Sequence, residues 1–234
     1  MNPTLRCLAE TPEDMNAGEA AFLFDATEAD TATRLLADVA GIVLRDGSEA
    51  RAGALLDAGA PCVLLGESAL RDSGSVERLV ARYGGERIGL YVPVRRMSVD
   101  WSFETVSNAD FRVVTPSLCE PAWEILRADG SGTGTIAHWW IGEMLQRGVH
   151  TVLLRAGIAD DTDLNLCAGL VEMLGEKLWV APRADAAPPF PPLADWIAYG
   201  QVRQIALPPA LFRQRDDLLP TPVEPPGIAG EIAA

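Results

Sequence analysis

The chain is poor in most residues that advertise chemistry. It has one lysine, Lys177, beside eighteen arginines, and two histidines, His138 and His150, whose spacing fits no metal pair. No metal site is expected. Its four cysteines, Cys7, Cys62, Cys119 and Cys167, are widely scattered and none stands in a C-x-x-C. That sets aside a zinc ribbon, a redox pair or a secreted disulfide framework, and leaves free, buried thiols as the expectation. No apolar run approaches the roughly 20 residues of a membrane span. Positive charge is in deficit: the net charge is −14 at pH 7, which argues against nucleic acid and acidic membrane surfaces as partners. The opening MNPTLRCLAETPEDMNAGEA has no basic segment followed by an apolar one, so no secretory signal is read there and a cytoplasmic location is expected. Neither G-x-G-x-x-G nor G-x-x-x-x-G-K-[ST] occurs, so no nucleotide motif, and no cofactor, is implied.

What the 234 residues do contain is a regular alternation. Apolar β-type runs recur at Ala21–Phe24, Gly41–Leu44, Cys62–Leu65, Ile88–Val94, Thr151–Leu154, Leu178–Val180 and Val202–Leu207, with TLRCLAE at 4–10 as a candidate first strand. The runs are continuously apolar, which suits strands covered on both faces. Helical patterns lie between them: Thr31–Val39, Ala50–Ala58 with Ser48 as N-cap and Gly59 beyond the end, Ser75–Tyr83, Thr135–Arg147 and Asp163–Leu174. Strands alternating with helices of about a dozen residues mean βα units and a parallel sheet.

The pattern also repeats. Residues 22–69 and 152–210 both read strand, helix, strand, helix, strand, at an offset growing from about 130 to about 142. Two such halves predict an α/β fold, a TIM-type (β/α)8 barrel, over residues 1–213, with an open doubly wound sheet as the alternative. Residues 214–234 form a Pro-rich tail.

LLDAGAPCVLLGESALRDSGSVERLVARYGGERI at 55–88 resembles the third-to-fifth strand region of the HisA/HisF barrels of histidine biosynthesis. MSVDWSFETVS at 97–107 resembles the segment after their fifth strand, and LLRAGIADDTDLN at 153–165 their sixth strand and its loop. The CEPAWE and DGSGTGT segments resemble members associated with tetrahydromethanopterin-linked one-carbon metabolism in methylotrophic bacteria. The family implies an isomerase with aspartates ending strands one and five, and glycine-rich phosphate loops. This chain departs from that pattern. The strand-five aspartate falls on Pro93, which cannot move a proton. The strand-six Thr-Asp pair falls on Ala156-Gly157, and the glycine loops fall near Leu44-Arg45-Asp46, Ala181-Pro182-Arg183 and Leu207-Pro208. The strand-four loop survives as Gly66-Glu67-Ser68, and strand one ends at Ala9 or Glu10. The resemblance therefore implies a barrel that has lost its isomerase acid–base pair and serves as a non-catalytic or repurposed subunit. The alternative is an active isomerase or lyase on a phosphorylated or carboxylated metabolite.

Barrel function lives at the C-terminal ends of the strands. There the sequence places Arg45, Arg95, Arg155 and Arg183, with Gly66 and Ser68, as a candidate anion site built of guanidinium forks. Arginines that merely end strands and reach outward are the competing reading. Asp25, Glu67 and Asp161 are the acid–base candidates if the chain is an enzyme. Asp160, Asp161 and Asp163 pair with these arginines or charge a helix N-terminus. Residues 108–135 form an insertion, with FRVVTPS and AWEILRA pairing as a hairpin and DGSGTGT as a loop leading to a helix capped by Thr133 or Thr135. Helices one, seven and eight are short or missing, because prolines and short spacings leave them little room. That sector is expected to need a cover: a second copy, another protein, or the tail. Of the adjacent Trp139 and Trp140, one must face outward.

Overall fold

The computed structural model describes residues 3–16, 18–25, 39–97, 120–183 and 188–219. In chain order the elements are β1 (Thr4–Ala9), β2 (Ala21–Phe24), β3 (Val39–Leu44), α1 (Glu49–Asp57), β4 (Val63–Leu65), α2 (Glu67–Arg71), α3 (Ser73–Tyr83) and β5 (Ile88–Arg96). There follow β6 (Trp123–Leu126), β7 (Gly132–Ile136), α4 (Ala137–Gln146), β8 (Thr151–Ala156), α5 (Asp161–Leu174), β9 (Leu178–Pro182), α6 (Leu193–Ala198), β10 (Gln204–Leu207), α7 (Pro209–Phe212) and α8 (Arg215–Leu218).

Eight strands run parallel in the order β4, β3, β2, β1, β10, β9, β8, β5, and β4 pairs with β5 to close the ring. The fold is the expected (β/α)8 barrel. Closure leaves no sheet edge and gives each strand two buried faces. Two clusters of buried residues mark those faces. Leu8, Phe22, Phe24, Val43, Leu64, Tyr91, Leu153, Trp179 and Ala206 fill the interior. Their chain neighbours, among them Cys7, Leu23, Ile42, Leu65, Leu90, Leu154, Val180 and Ile205, face the helices. The interior is a packed core: Trp179 meets Phe22 edge to face, and the Arg6 guanidinium lies 4.4 Å from the Trp179 ring at the lower end.

The helices follow their local signals. Ser48 caps α1 by accepting from the Arg51 amide, Asp72 caps α3, and Asp160 caps α5 through the Thr162 and Asp163 amides. Trp140 is buried and Trp139 is exposed, as their adjacency requires. Of the expected helix at Thr31–Val39, residues 31–38 lie outside the described residues, and Val39 belongs to β3.

The described part of the insertion, from residue 120 on, holds a hairpin of β6 and β7 after the fifth barrel strand. The end of β5 pairs antiparallel with β6 through Val94–Ile125 and Arg96–Trp123, and β6 pairs antiparallel with β7. Both edges of β6 are thus taken. GTGTI is a strand, not a flexible loop, and Ile136 precedes α4 in place of a threonine cap. FRVVTPS lies outside the described residues.

The thin sector is present. Between β1 and β2 stands a single 3-10 turn, Pro12–Asp14, while α6 has six residues and α7 and α8 four each. Its strands are nevertheless not bare. Leu211, Phe212, Leu193 and Trp196 are buried in the same cluster as Cys7, Ala9, Ile205 and Leu207, so large side chains on very short helices do the covering. Among the described residues, these short elements of the chain itself supply cover for the strands. The large apolar groups exposed near α6 are Phe190 and Tyr199.

Candidate functional site

The alternation of the strands decides what reaches the barrel mouth. Val43 faces inward, so Arg45 does as well; Leu153 carries the same direction to Arg155, Ala181 to Arg183, and Tyr91 to Pro93. A cavity of about 330 Å³ lies at these ends, lined by Arg45, Arg155, Arg183, Tyr91 and Pro93, by Gly66, Glu67 and Leu70, and by the hairpin's Leu126, Arg127, Ala128 and Gly130. Four guanidiniums and one carboxylate therefore share a small cavity in a protein of charge −14. Arg45, Arg155 and Arg183 line this cavity, and Arg45 and Arg183 are at the same time open to solvent.

The cations are held to different degrees. Arg45 stacks 3.7 Å from the Phe24 ring centroid and donates to both carboxylate oxygens of Glu10 at 2.5 and 2.6 Å. Phe24 in turn meets Tyr91 edge to face. Arg155 approaches the Tyr91 hydroxyl at 3.5 Å. Arg183 donates its backbone amide to the Ala156 carbonyl and forms no ion pair with a described residue. Arg127 lies 30 residues or more from any barrel strand-end arginine that precedes or follows it except Arg155, and only the hairpin brings it here.

Other candidates lie elsewhere. Arg95 has inward parity, but β5 bends off to join β6, and Arg95 pairs with Glu124 at 2.7 Å outside the cavity. This pair, together with the Gly134 amide, holds the Glu124 carboxyl below its usual range. Gly66 lines the cavity, but its N–H is spent on the Leu44 carbonyl, and that of Glu67 on Arg45. A Cβ at Gly66 would press on those same two carbonyl oxygens, so this glycine serves close strand approach. The Ser68 hydroxyl is buried with no hydrogen-bond partner among the described residues and does not line the cavity.

Of the three carboxylates, only Glu67 reaches the cavity. Asp25 has the opposite parity to Phe24 and forms a two-pronged pair with Arg51 of α1, at 2.6 and 2.9 Å. That contact raises the affinity of Arg51 for its proton. Asp161 is exposed in the first turn of α5. Glu67 accepts a hydrogen bond from the Ala128 amide at 2.9 Å and keeps Arg71 at 3.4 Å. Glu10, Tyr91 and Arg127 were not foreseen as site residues. Inward parity counted from Leu8 puts Glu10 on the inner side, and Tyr91 is itself an interior residue.

The hairpin's root is fixed by a second network. Asp163, buried, accepts from the Trp123 indole at 2.9 Å, the Ala159 amide at 3.0 Å and Arg96 Nε at 3.0 Å. Arg96 also bonds Asp160, and this contact pulls the Asp160 carboxyl down to about 2. Among the described residues, no group of three or more His, Cys, Asp or Glu side chains is placed to hold a metal ion. No helix among them is long and apolar enough to cross a membrane. No protein-family model matches the chain, and no curated protein matches it.

Proposed function

We propose that this chain is a diverged barrel of HisA/HisF type that has lost the isomerase acid–base pair and holds a small anionic metabolite at its mouth, as a binding or repurposed subunit. One observation carries this reading: the inward positions at the strand ends supply guanidiniums and, at the end of the fifth strand, Pro93. Guanidiniums in a half-enclosed cavity bind carboxylate or phosphate oxygens through parallel charge-assisted hydrogen bonds. Proton shuttling needs two groups of opposed role on either side of the substrate. The one carboxylate in the cavity is already engaged with a backbone amide. The tetrahydromethanopterin-linked setting is carried by the sequence resemblance alone.

A second reading is an enzyme in which Glu67 and the Tyr91 phenol move protons; what favours it is that both line the cavity. The test is a calorimetric panel of inorganic phosphate, short sugar phosphates and small dicarboxylates, followed by turnover assays with each binder. Saturable binding without turnover supports the first reading, and turnover abolished by Glu67→Gln supports the second. No binding by any anion refutes both.

A further inference from the structure

The cavity is walled mostly by the barrel, and the β6–β7 hairpin closes one side with Leu126, Arg127, Ala128 and Gly130. The hairpin is seated at three places. At its root, Trp123 and the neighbouring Arg96 are tied to Asp163. Midway, the Arg95–Glu124 pair packs over Gly132, and Glu124 accepts from the Gly134 amide at 3.1 Å. At the tip, the Ala128 amide donates to Glu67, 61 residues away in the chain and just beyond the end of the neighbouring strand β4.

The residue beside that tip contact is Arg127. Its Nη1 braces the turn by donating to the Gly132 carbonyl at 2.9 Å and the Ser131 hydroxyl at 3.3 Å. A guanidinium has five N–H donors. Among the described residues no further partner takes the remaining ones, and Arg127 lines the cavity. Glu67 is the one carboxylate in this arginine-lined space, where its charge works against an anion. A carboxylate kept in such a place needs a reason, and its hydrogen bond to Ala128 supplies one.

We propose that Arg127 is a ligand-binding residue, a fourth clamp delivered by the hairpin, and that Glu67 is its positioning residue, latching the tip so that the Arg127 guanidinium faces an anion held by the barrel arginines. This rests on the anion reading above and specifies how that site is completed. It assigns the site a compact ligand, with one phosphate or carboxylate group gripped from both the barrel wall and the hairpin. The cavity's size, at the small end of ligand pockets, agrees.

The two roles of Glu67 oppose each other, so substitution separates them. As a bare charge, its removal strengthens anion binding. As a latch, its removal weakens it. The experiment is titration calorimetry with inorganic phosphate and with acetate on the full chain and on Arg127→Ala, Glu67→Ala and Glu67→Gln, together with amide hydrogen exchange of the ligand-free proteins. The expected result is about 10-fold or greater weakening for Arg127→Ala, since one charge-assisted contact is lost. Glu67→Ala is expected to weaken binding several-fold. Glu67→Gln, whose amide oxygen still accepts from Ala128, restores it. The Ala128 amide exchanges faster in Glu67→Ala and not in Glu67→Gln. Which of phosphate and acetate binds more tightly identifies the anionic group. Tighter binding in Glu67→Ala, or unchanged Ala128 exchange, overturns the latch. Unchanged affinity in Arg127→Ala overturns the clamp. If the wild type binds neither anion, the anion reading itself fails, while the exchange data still decide the latch.

Discussion

Replacing Asp163 by alanine removes the knot that ties the hairpin to the barrel, and its cost can be worked from the contacts. The residue is 1% exposed and accepts from Trp123, Ala159 and Arg96. Truncation leaves the Trp123 indole N–H and the Ala159 amide without acceptors, at about 1–3 kcal/mol for each buried donor left unsatisfied. Breaking a fully buried ion pair costs about 3–5 kcal/mol. That figure is discounted here, because the Arg96 side chain is 34% exposed and keeps Asp160. The three contributions overlap, since local relaxation that rescues one donor readmits water to the others. Together they give about 3 kcal/mol for Asp163→Ala. Asp163→Asn keeps one acceptor oxygen and loses about 2 kcal/mol by the same reasoning. Urea unfolding at neutral pH, followed by tryptophan fluorescence, measures both. For a chain of this size about 3 kcal/mol lowers the Tm by roughly 6–12 °C. A loss below about 1 kcal/mol for Asp163→Ala refutes the view that this carboxylate anchors the hairpin.

Further outcomes follow from the same contacts. Gly66→Ala places a methyl group against the Leu44 and Arg45 carbonyls, and is expected to destabilise the protein by about 1–3 kcal/mol in urea titrations; a change under about 0.5 kcal/mol contradicts the close approach of β3 and β4. Burial pushes the Cys7 thiol up to about 11 and those of Cys62 and Cys167 up to about 12. Mapping of alkylated sites by mass spectrometry is expected to find these three unmodified at pH 8 in native protein and modified in urea; native labelling of any of them refutes its burial. Asp160 titrates at about 2, held down by Arg96, against about 3.9 in an unfolded chain. Its folded value is depressed, so its stabilising contribution is present above about pH 4 and fades as the pH falls toward 2. Carboxyl carbon NMR reads this directly, and in Arg96→Gln the Asp160 midpoint is expected to rise; an unchanged midpoint removes Arg96 as the cause.

Most of the barrel was legible because its signals are local. Continuous apolar runs marked the strands, and Ser48 and Gly59 marked the ends of a helix. Even α6, expected to be short because of its prolines, is the six-residue Leu193–Ala198. The site was less legible, because its decisive variable is direction. A strand end places a residue near the mouth, and only parity says whether it points in. Phe24 faces the interior, so Asp25 cannot, and its charge goes to Arg51 instead. Parity put Arg45, Arg155 and Arg183 on the inner side, yet failed for Arg95, where β5 leaves the barrel to pair with β6. The hairpin escaped for a related reason. The two glycines of GTGT weaken its strand signal, and it becomes a strand because β6 offers an open edge and the Arg95–Glu124 pair needs a residue without a side chain at Gly132. The Glu67–Ala128 contact spans 61 residues and leaves no local trace. The thin sector was correctly read as thin, but the size of Trp196, Leu211 and Phe212 was underrated: few residues cover a strand when they are large.

The central claim is that the barrel mouth is an anion site made by arginines from separate elements. A crystal structure of the chain equilibrated with millimolar phosphate tests it most directly. The account predicts a phosphate inside the cavity, within hydrogen-bond distance of guanidiniums from Arg155 or Arg183 on the barrel and Arg127 on the hairpin. An empty cavity at that concentration, or phosphate bound only on the outer surface, contradicts it.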